Sequence, residues 1–203
     1  MDFNELYKMS YKMACEYLIN KYGQPDKNYF NLNWVKQRIS RTSEGIYCHH
    51  ILENEYLNLS EISFAKEAPF EVQNKENLLY CNAVEHFILH LLIKKENPDM
   101  SHAGVVFTLC NCNALYDNKG GKELWKQNCF KSIKNLYNTY ICFLADNYDD
   151  LLFDNNIIDR IVICYPKINR FDLLALKQIK PILEISKPIL NDIRVYMDRP
   201  EGV

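Results

Sequence analysis

The residues best suited to chemistry in this chain are histidines, and four of its five lie between residues 46 and 90. His49 and His50 are adjacent and follow an apolar run typical of a strand. His86 and His90 stand four residues apart in a stretch with the apolar content of a helix. Because positions i and i+4 of an α-helix lie about 5 to 6 Å apart between Cβ atoms, the imidazoles of His86 and His90 can converge on one divalent ion.

The local sequence also indicates which elements position these side chains. Asn82 is a favourable helix N-cap, and Glu85 follows it by three residues, as in an Asn-x-x-Glu form of the capping box. We therefore predict that a helix begins at Ala83 and carries His86 in its first two turns. The polar residues 40–45 predict a turn, which would lead into the strand that ends in the first histidine pair.

The order of these residues resembles that of the HNH endonucleases, also called the ββα-metal or His-Me finger group. In that family a strand ends in a His pair, an Asn follows on the side of the second strand, and a helix supplies further ligands. The resemblance covers under a quarter of the chain. It implies that His49, His86 and His90 bind a metal ion, that His50 is the general base, and that Asn77 fixes the orientation of the imidazole or the hairpin.

The activity that the resemblance implies is metal-dependent hydrolysis of phosphodiester bonds, most simply by a DNA endonuclease. A phosphodiester repels nucleophiles and releases an alkoxide, and a divalent ion can offset both charges while a neutral imidazole takes the proton of water. Imidazole ligands suit zinc, nickel or manganese, and similar enzymes also use magnesium. The expected cofactor is therefore one divalent ion, namely Mg, Mn, Ni or Zn.

Two other kinds of protein fit the same histidines. One is a non-catalytic module in which zinc stabilises a finger that binds nucleic acid or protein. Structural zinc sites are usually closed by four Cys or His ligands, and Cys48 and Cys81 are near enough in sequence to complete such a site. The other is an HNH-type nuclease that acts on RNA. The His pair favours an enzyme, because it leaves one histidine free for chemistry.

Two basic stretches are candidate contacts to nucleic acid. The stretch of residues 27–41 combines aromatic side chains with Lys36, Arg38 and Arg41, which suits either contact with phosphates or a solvated segment anchored to the core. The second stretch consists of Lys119, Lys122, Lys126 and Lys131. It suits either contact with phosphates or a solvated helix face. Since the net charge is −2, affinity for DNA would depend on such local patches.

Helical periodicity extends over both ends of the sequence. Residues 4–22 predict a helix, residues 60–67 a short helix, and residues 103–115 a buried one. Apolar residues recur every three or four positions from residue 122 to 143, which predicts one long amphipathic helix. Residues 171–197 predict one or two further helices. The fifth histidine, His102, lies outside the motif and suits a helix start.

The expected fold class is α+β and mainly α, with a ββα-metal finger wrapped by flanking helices. We expect a single domain over residues 1–203, with the finger at about 42–95 and helical elaborations at 1–41 and 96–203. The connection from His50 to Asn77 is longer than in compact HNH proteins, and we expect it either to line the substrate groove or to pack over the finger.

The composition sets the remaining expectations. An apolar content of 48% over 203 residues is enough for a hydrophobic core. The sequence has no apolar run of about 18 residues and no signal peptide, which predicts a cytoplasmic protein without a membrane partner and with reduced cysteines. A homodimer or a partner protein is compatible with the sequence.

Overall fold

The structure, a computed structural model, describes residues 2–101 and 103–147. Within these ranges the chain is mainly helical and contains one two-stranded antiparallel sheet, which confirms a mainly α member of the α+β class. His102, for which we predicted a helix start, and the helices predicted for residues 171–197 lie outside the described residues.

Nine helices and strands follow one another in the described residues, joined by turns and short 3₁₀ segments. They are α1 (Phe3–Tyr7), α2 (Tyr11–Tyr22), β1 (Tyr47–His50), α3 (Ile62–Ala65), β2 (Leu78–Cys81), α4 (Ala83–Glu96), α5 (Ala103–Asn118), α6 (Leu124–Ile133) and α7 (Tyr137–Asp146). The 3₁₀ segments are Ile51–Asn54, Phe70–Gln73, Lys75–Asn77 and Lys134–Leu136. None of the helices in the described ranges is long and apolar enough to cross a lipid bilayer.

The sheet holds the first histidine pair. Strands β1 and β2 are antiparallel, with Tyr47 opposite Cys81 and His50 opposite Leu78. Because successive strand residues point to opposite faces, His49 and His50 leave the strand in opposite directions. The strand ends at His50, and the 3₁₀ segment Ile51–Asn54 follows immediately. Both histidines are almost fully buried, each with 1% of its surface exposed.

Helix α4 begins at Ala83, and its predicted start is confirmed. Asn82 Oδ1 accepts a hydrogen bond of 2.9 Å from the Glu85 backbone N–H, and the Glu85 carboxylate accepts one of 2.8 Å from the Asn82 backbone N–H. The second oxygen of Glu85 accepts a hydrogen bond of 2.5 Å from Lys21 Nζ. This capping box fixes the helix start, and the ion pair ties it to α2.

The hydrophobic core is built around α4. Phe87, Ile88 and Leu92 are completely buried, and α1, α2 and α5 pack against the helix. A helix that is apolar on nearly all its faces is normally a buried one. The two helical histidines are thus carried by a helix packed into the core, which limits their movement.

Two predicted helices differ from the structure. The segment 4–22 forms two helices, because Ser10 caps a new start and its Oγ accepts a hydrogen bond from the Met13 backbone N–H. The long helix predicted from residue 122 is interrupted by the 3₁₀ segment Lys134–Leu136. Just before this break, the Ser132 hydroxyl bonds the carbonyl oxygen of Cys129 within its own helix and that of Gly45, contacts that compete with regular helical bonding.

Candidate metal centre

Three of the predicted ligands meet at one point. His49 reaches it from the end of β1, and His86 and His90 reach it from the first two turns of α4. The ring centroid of His49 lies 5.1 Å from that of His86 and 5.2 Å from that of His90. The Nε2 atoms of His86 and His90 are 3.3 Å apart. The helical pair therefore points at one place, as its spacing predicted.

A carboxylate completes the group, and the sequence analysis missed it. Glu53 lies in the 3₁₀ segment after β1, and its Oε2 is 3.6 Å from His49 Nδ1 and 3.4 Å from His90 Nε2. One ligand atom from each of His49, Glu53, His86 and His90 lies within 4.8 Å of the others. These four residues, called the His₃Glu group below, could hold a metal ion.

The tautomer of His49 is set by a tyrosine on α2. Tyr11 Oη donates a hydrogen bond of 2.8 Å to the Ile51 carbonyl and lies 2.8 Å from His49 Nε2. Since a hydroxyl has only one proton, His49 Nε2 must carry its own hydrogen and donate it to the tyrosine oxygen. The other nitrogen, Nδ1, is then unprotonated and faces the group.

The unprotonated nitrogen of His49 is an observation in favour of a cation. His49 Nδ1 is buried and has no hydrogen-bond partner among the described residues. Buried polar atoms are nearly always paired, and an unpaired one calls for an explanation such as an ion. A lone pair that faces two imidazoles and a carboxylate has the donor chemistry that transition metals bind. The residues present therefore fit a divalent ion.

The environment keeps the histidines of the group neutral, which is the form that binds metals. Burial lowers the pKa of His86 to about 4, and burial together with the neighbouring imidazoles holds the pKa of His49 well below its usual value. His90 is shifted in the same direction for the same reasons. Burial raises the pKa of Glu53 to about 8, although a hydrogen bond from the Leu59 backbone opposes this. A cation bound in the group would favour the ionised carboxylate.

His50 lies beside the His₃Glu group but is not part of it. Gln73 Nε2 donates to the Leu59 carbonyl at 3.3 Å, so its oxygen is left to accept a hydrogen bond of 3.1 Å from His50 Nε2. The His50 Nδ1 atom is then unprotonated, and it lies 3.8 Å from Glu53 Oε1. Burial lowers the pKa of His50 to about 4, so the ring is neutral near pH 7.

A cavity of about 280 Å³ opens over these side chains. His50 and the whole His₃Glu group line it, together with residues 103–105, 107 and 108 in the first two turns of α5. Leu57, Asn58 and Ser60 also line it, so part of the long connection borders the site. Gly104 on α5 lies against His90, and a Cβ atom there would be 2.3 Å from His90 Nδ1.

The predicted catalytic Asn77 lies at the end of the connection, directly before β2. Its Nδ2 donates a hydrogen bond of 2.8 Å to the Glu71 carbonyl, and Asn77 does not line the cavity. Cys48 and Cys81, considered above as zinc ligands, are not in the group; Glu53 has the fourth place. Asn77 therefore contacts the backbone of the connection, whereas the imidazoles are oriented by Tyr11 and Gln73.

The basic residues of the first stretch are placed differently from one another. Lys36 Nζ lies 4.6 Å from the centre of the Tyr29 ring, and that ring packs on His50 at 4.4 Å. Arg38 is exposed. Arg41 is engaged within the fold, because Nε donates to Glu44 at 2.8 Å and Nη1 donates to the Tyr22 carbonyl at 2.8 Å. Of the three residues, Lys36 has the clearest connection to the site.

The lysines of the second stretch lie around the start of α6 and do not line the cavity. Lys119 and Lys122 are exposed in the turn that connects α5 with α6. Lys126 forms an ion pair with Glu123 and lies over the Trp125 ring, and Lys131 is exposed on α6. These lysines therefore form a surface that is separate from the cavity.

Comparison with known proteins adds nothing to this description. A scan against protein-family models and searches of curated proteins and of solved structures found no match for this chain.

Proposed function

We propose that this protein is a metal-dependent endonuclease of the HNH type, which hydrolyses phosphodiester bonds in DNA. The observation that carries the proposal is the position of His50. A metal-binding group needs only its ligands, yet here a fourth imidazole with an unprotonated nitrogen lines the same cavity, outside the group. A neutral base beside an ion site is the arrangement that metal-assisted hydrolysis requires.

The chain would hold the ion through the His₃Glu group. His49, His86 and His90 supply neutral nitrogens, and Glu53 supplies the negative charge that partly balances a divalent cation. When bound, the ion would stabilise the charge on the phosphate and on the leaving oxygen. Tyr11 keeps the Nδ1 lone pair of His49 directed into the group.

In the proposed reaction His50 is the general base. As the oxygen of a water molecule forms a bond to phosphorus, one proton of that water passes to His50 Nδ1. The ester P–O bond breaks, and its electron pair leaves with the alkoxide, which then takes a proton from solvent. Gln73 holds the other ring nitrogen, which keeps Nδ1 unprotonated and on the side of Glu53.

A second candidate function follows from Glu53. Three imidazoles and one carboxylate make four protein ligands, the number that usually closes a structural zinc site. In that case the protein would be a non-catalytic module that uses zinc for stability. The cavity over the group favours the enzyme, because a hydrolytic site needs room for water and a phosphate beside its ligands.

The proposal is tested by incubating the purified full-length chain with double-stranded DNA, single-stranded DNA and RNA. After exhaustive chelation we expect no cleavage, and we expect Mg, Mn, Ni or Zn to restore cleavage of DNA. Cleavage that persists without metal would contradict the mechanism. Tight stoichiometric zinc without cleavage of any substrate would favour the structural module, and cleavage of RNA alone would change the substrate class.

A further inference from the structure

Part of the cavity lining, called the α5 wall below, belongs to helix α5 and has no role in the proposed hydrolysis. Among the exposed large apolar side chains of the described residues, Phe107 is the one that lines this cavity, and it keeps 44% of its surface exposed. Val105, Leu57 and Ile93 add further apolar surface to the lining. The lining therefore places an exposed aromatic ring in the same cavity as the His₃Glu group.

The position of Phe107 follows from helix geometry. Residues 104, 107 and 108 are three and four apart, so they share one face of α5. Gly104 has no side chain, and this allows its backbone to lie against His90. Phe107 is three residues further along, about 4.5 Å along the helix axis at 1.5 Å per residue. The aromatic ring is thus held about one helical turn from a residue of the His₃Glu group.

The chemistry of the lining restricts what can lie against this ring. Among the described residues that line the cavity there is no Lys or Arg, so the α5 wall does not attract a second phosphate. The Thr108 hydroxyl is already bonded to the Gly104 carbonyl at 2.7 Å. Asn58, Ser60 and Ser101 supply a few polar groups around an apolar surface. A flat, uncharged ring with polar edges matches this combination.

We propose that Phe107 forms a stacking subsite for a nucleobase. The base would belong to a nucleotide that adjoins the phosphate at the His₃Glu group. The subsite therefore rests on the proposed function. Every base has a flat π-face, so stacking on Phe107 tolerates all sequences. Asn58, Ser60 and Ser101 line the same cavity and would supply hydrogen bonds to the polar edge of the base.

The subsite has a consequence for substrate choice. A base inside an intact duplex is stacked on its neighbours and must be unstacked before it can contact Phe107. This unstacking is unfavourable, and least so when the nucleotide is mismatched or already single-stranded. We therefore expect the protein to cleave next to an unpaired nucleotide faster than within a fully paired duplex.

The test compares Phe107→Ala with Phe107→Tyr on single-stranded oligonucleotides that carry either a normal or an abasic nucleotide beside the cleaved bond. For the normal substrate, Phe107→Ala should lower kcat/KM about 5- to 150-fold, the range expected for one stacked base. On the abasic substrate the same variant should match the unmutated protein, because no base is left to stack. Phe107→Tyr should retain activity on both.

Tyr137→Ala is the matched control, since Tyr137 is an aromatic residue with 48% of its surface exposed that does not line the cavity. It should leave the preference for normal over abasic substrate unchanged. An equal loss on both substrates for Phe107→Ala, or no loss on either, would overturn the subsite.

A binding measurement separates failure of the subsite from failure of the nuclease proposal. In the His50→Ala background, an oligonucleotide with 2-aminopurine at the expected position should be quenched on binding, and the additional Phe107→Ala change should remove the quenching. Quenching without cleavage by the unmutated protein would support the subsite and reject the nuclease. Equal fluorescence with and without Phe107 would overturn the subsite, even if the unmutated protein cleaves DNA.

Discussion

The hydroxyl group of Tyr11 decides which nitrogen of His49 faces the His₃Glu group. Its single proton is given to the Ile51 carbonyl, so the hydroxyl can only accept from His49 Nε2. Residues that hydrogen-bond the far nitrogen of a metal-binding histidine fix its tautomer and orientation, and their loss typically weakens metal binding 10- to 100-fold. In the proposed function Tyr11 would thus act on the metal through His49.

Replacing Tyr11 with Phe should weaken metal affinity by about 10- to 100-fold, because His49 loses its hydrogen-bond acceptor and can rotate or change tautomer. The measurement is a competition titration against a metal-binding dye. Tyr140→Phe is the control: Tyr140 is buried, and its hydroxyl is 2.8 Å from Asn113 Oδ1, away from the group. Both variants should lose stability, but only Tyr11→Phe should lose affinity. Equal metal affinity in the two variants would refute the role of Tyr11.

Glu53→Gln removes a charge with little change in shape and should also reduce metal affinity. In the metal-free protein the same change should not reduce the free energy of unfolding, because burial disfavours the ionised carboxylate and raises its pKa to about 8. Titration calorimetry and chemical denaturation of the metal-free protein measure the two effects. Unchanged affinity together with lower stability would mean that Glu53 has a structural role only.

The residues of the site differed in how far the sequence could predict them. His86 and His90 could be predicted as a pair, because their spacing on a helix brings two side chains to one face. Glu53 is four residues after His49, but this spacing had no clear meaning because a strand ends and a 3₁₀ segment begins between them. Tyr11 lies 38 residues before His49, and no local pattern predicts a contact at that distance.

At the scale of elements, the site depends on how closely α5 approaches α4. Gly104 permits this approach, because its backbone takes the space next to the His90 ring where any Cβ would clash. Glycine inside a helix is otherwise unfavourable by about 0.5 to 1 kcal/mol relative to alanine. The position of Gly104 in the first turns of α5 is therefore explained by packing against a residue of the His₃Glu group.

Gly104→Ala separates helix propensity from this contact. Alanine favours the helix, but its Cβ would lie 2.3 Å from His90 Nδ1 and would force the imidazole to move. We expect lower metal affinity in this variant, whatever the sign of its change in stability. If metal titration gives Gly104→Ala the same affinity as the unmutated protein, α5 can move aside without disturbing His90.

The elements themselves were predictable where local side chains define their ends. The capping box of Asn82 and Glu85 gave the start of α4 correctly, because both hydrogen bonds form within one turn. The break between α6 and α7 was not predictable, since the apolar repeat continues through it. Near that break Ser132 bonds the carbonyl of Gly45, 87 residues earlier in the sequence. Such a contact leaves no trace in the local pattern.

At the scale of the molecule, the site is assembled from distant parts of the chain. Residues between Tyr11 and Thr108 contribute to it, through α2, β1, the long connection, α4 and α5. The net charge of −2 gives no general attraction to nucleic acid. In the proposed function the attraction is local. It would come from the bound cation, from Lys36 beside the Tyr29 ring and from stacking on Phe107 of α5.

In the proposed function His49 and His50, although adjacent, have different roles: His49 binds the metal and His50 takes the proton. The most direct test measures metal affinity and the rate of DNA cleavage together for His49→Ala and His50→Ala. We expect His50→Ala to keep near-normal affinity while its rate falls roughly 10²- to 10⁴-fold, as for loss of a general base. His49→Ala should lose both. Loss of the metal by His50→Ala with its retention by His49→Ala, or unchanged cleavage in both variants, would show that the two histidines do not have these roles.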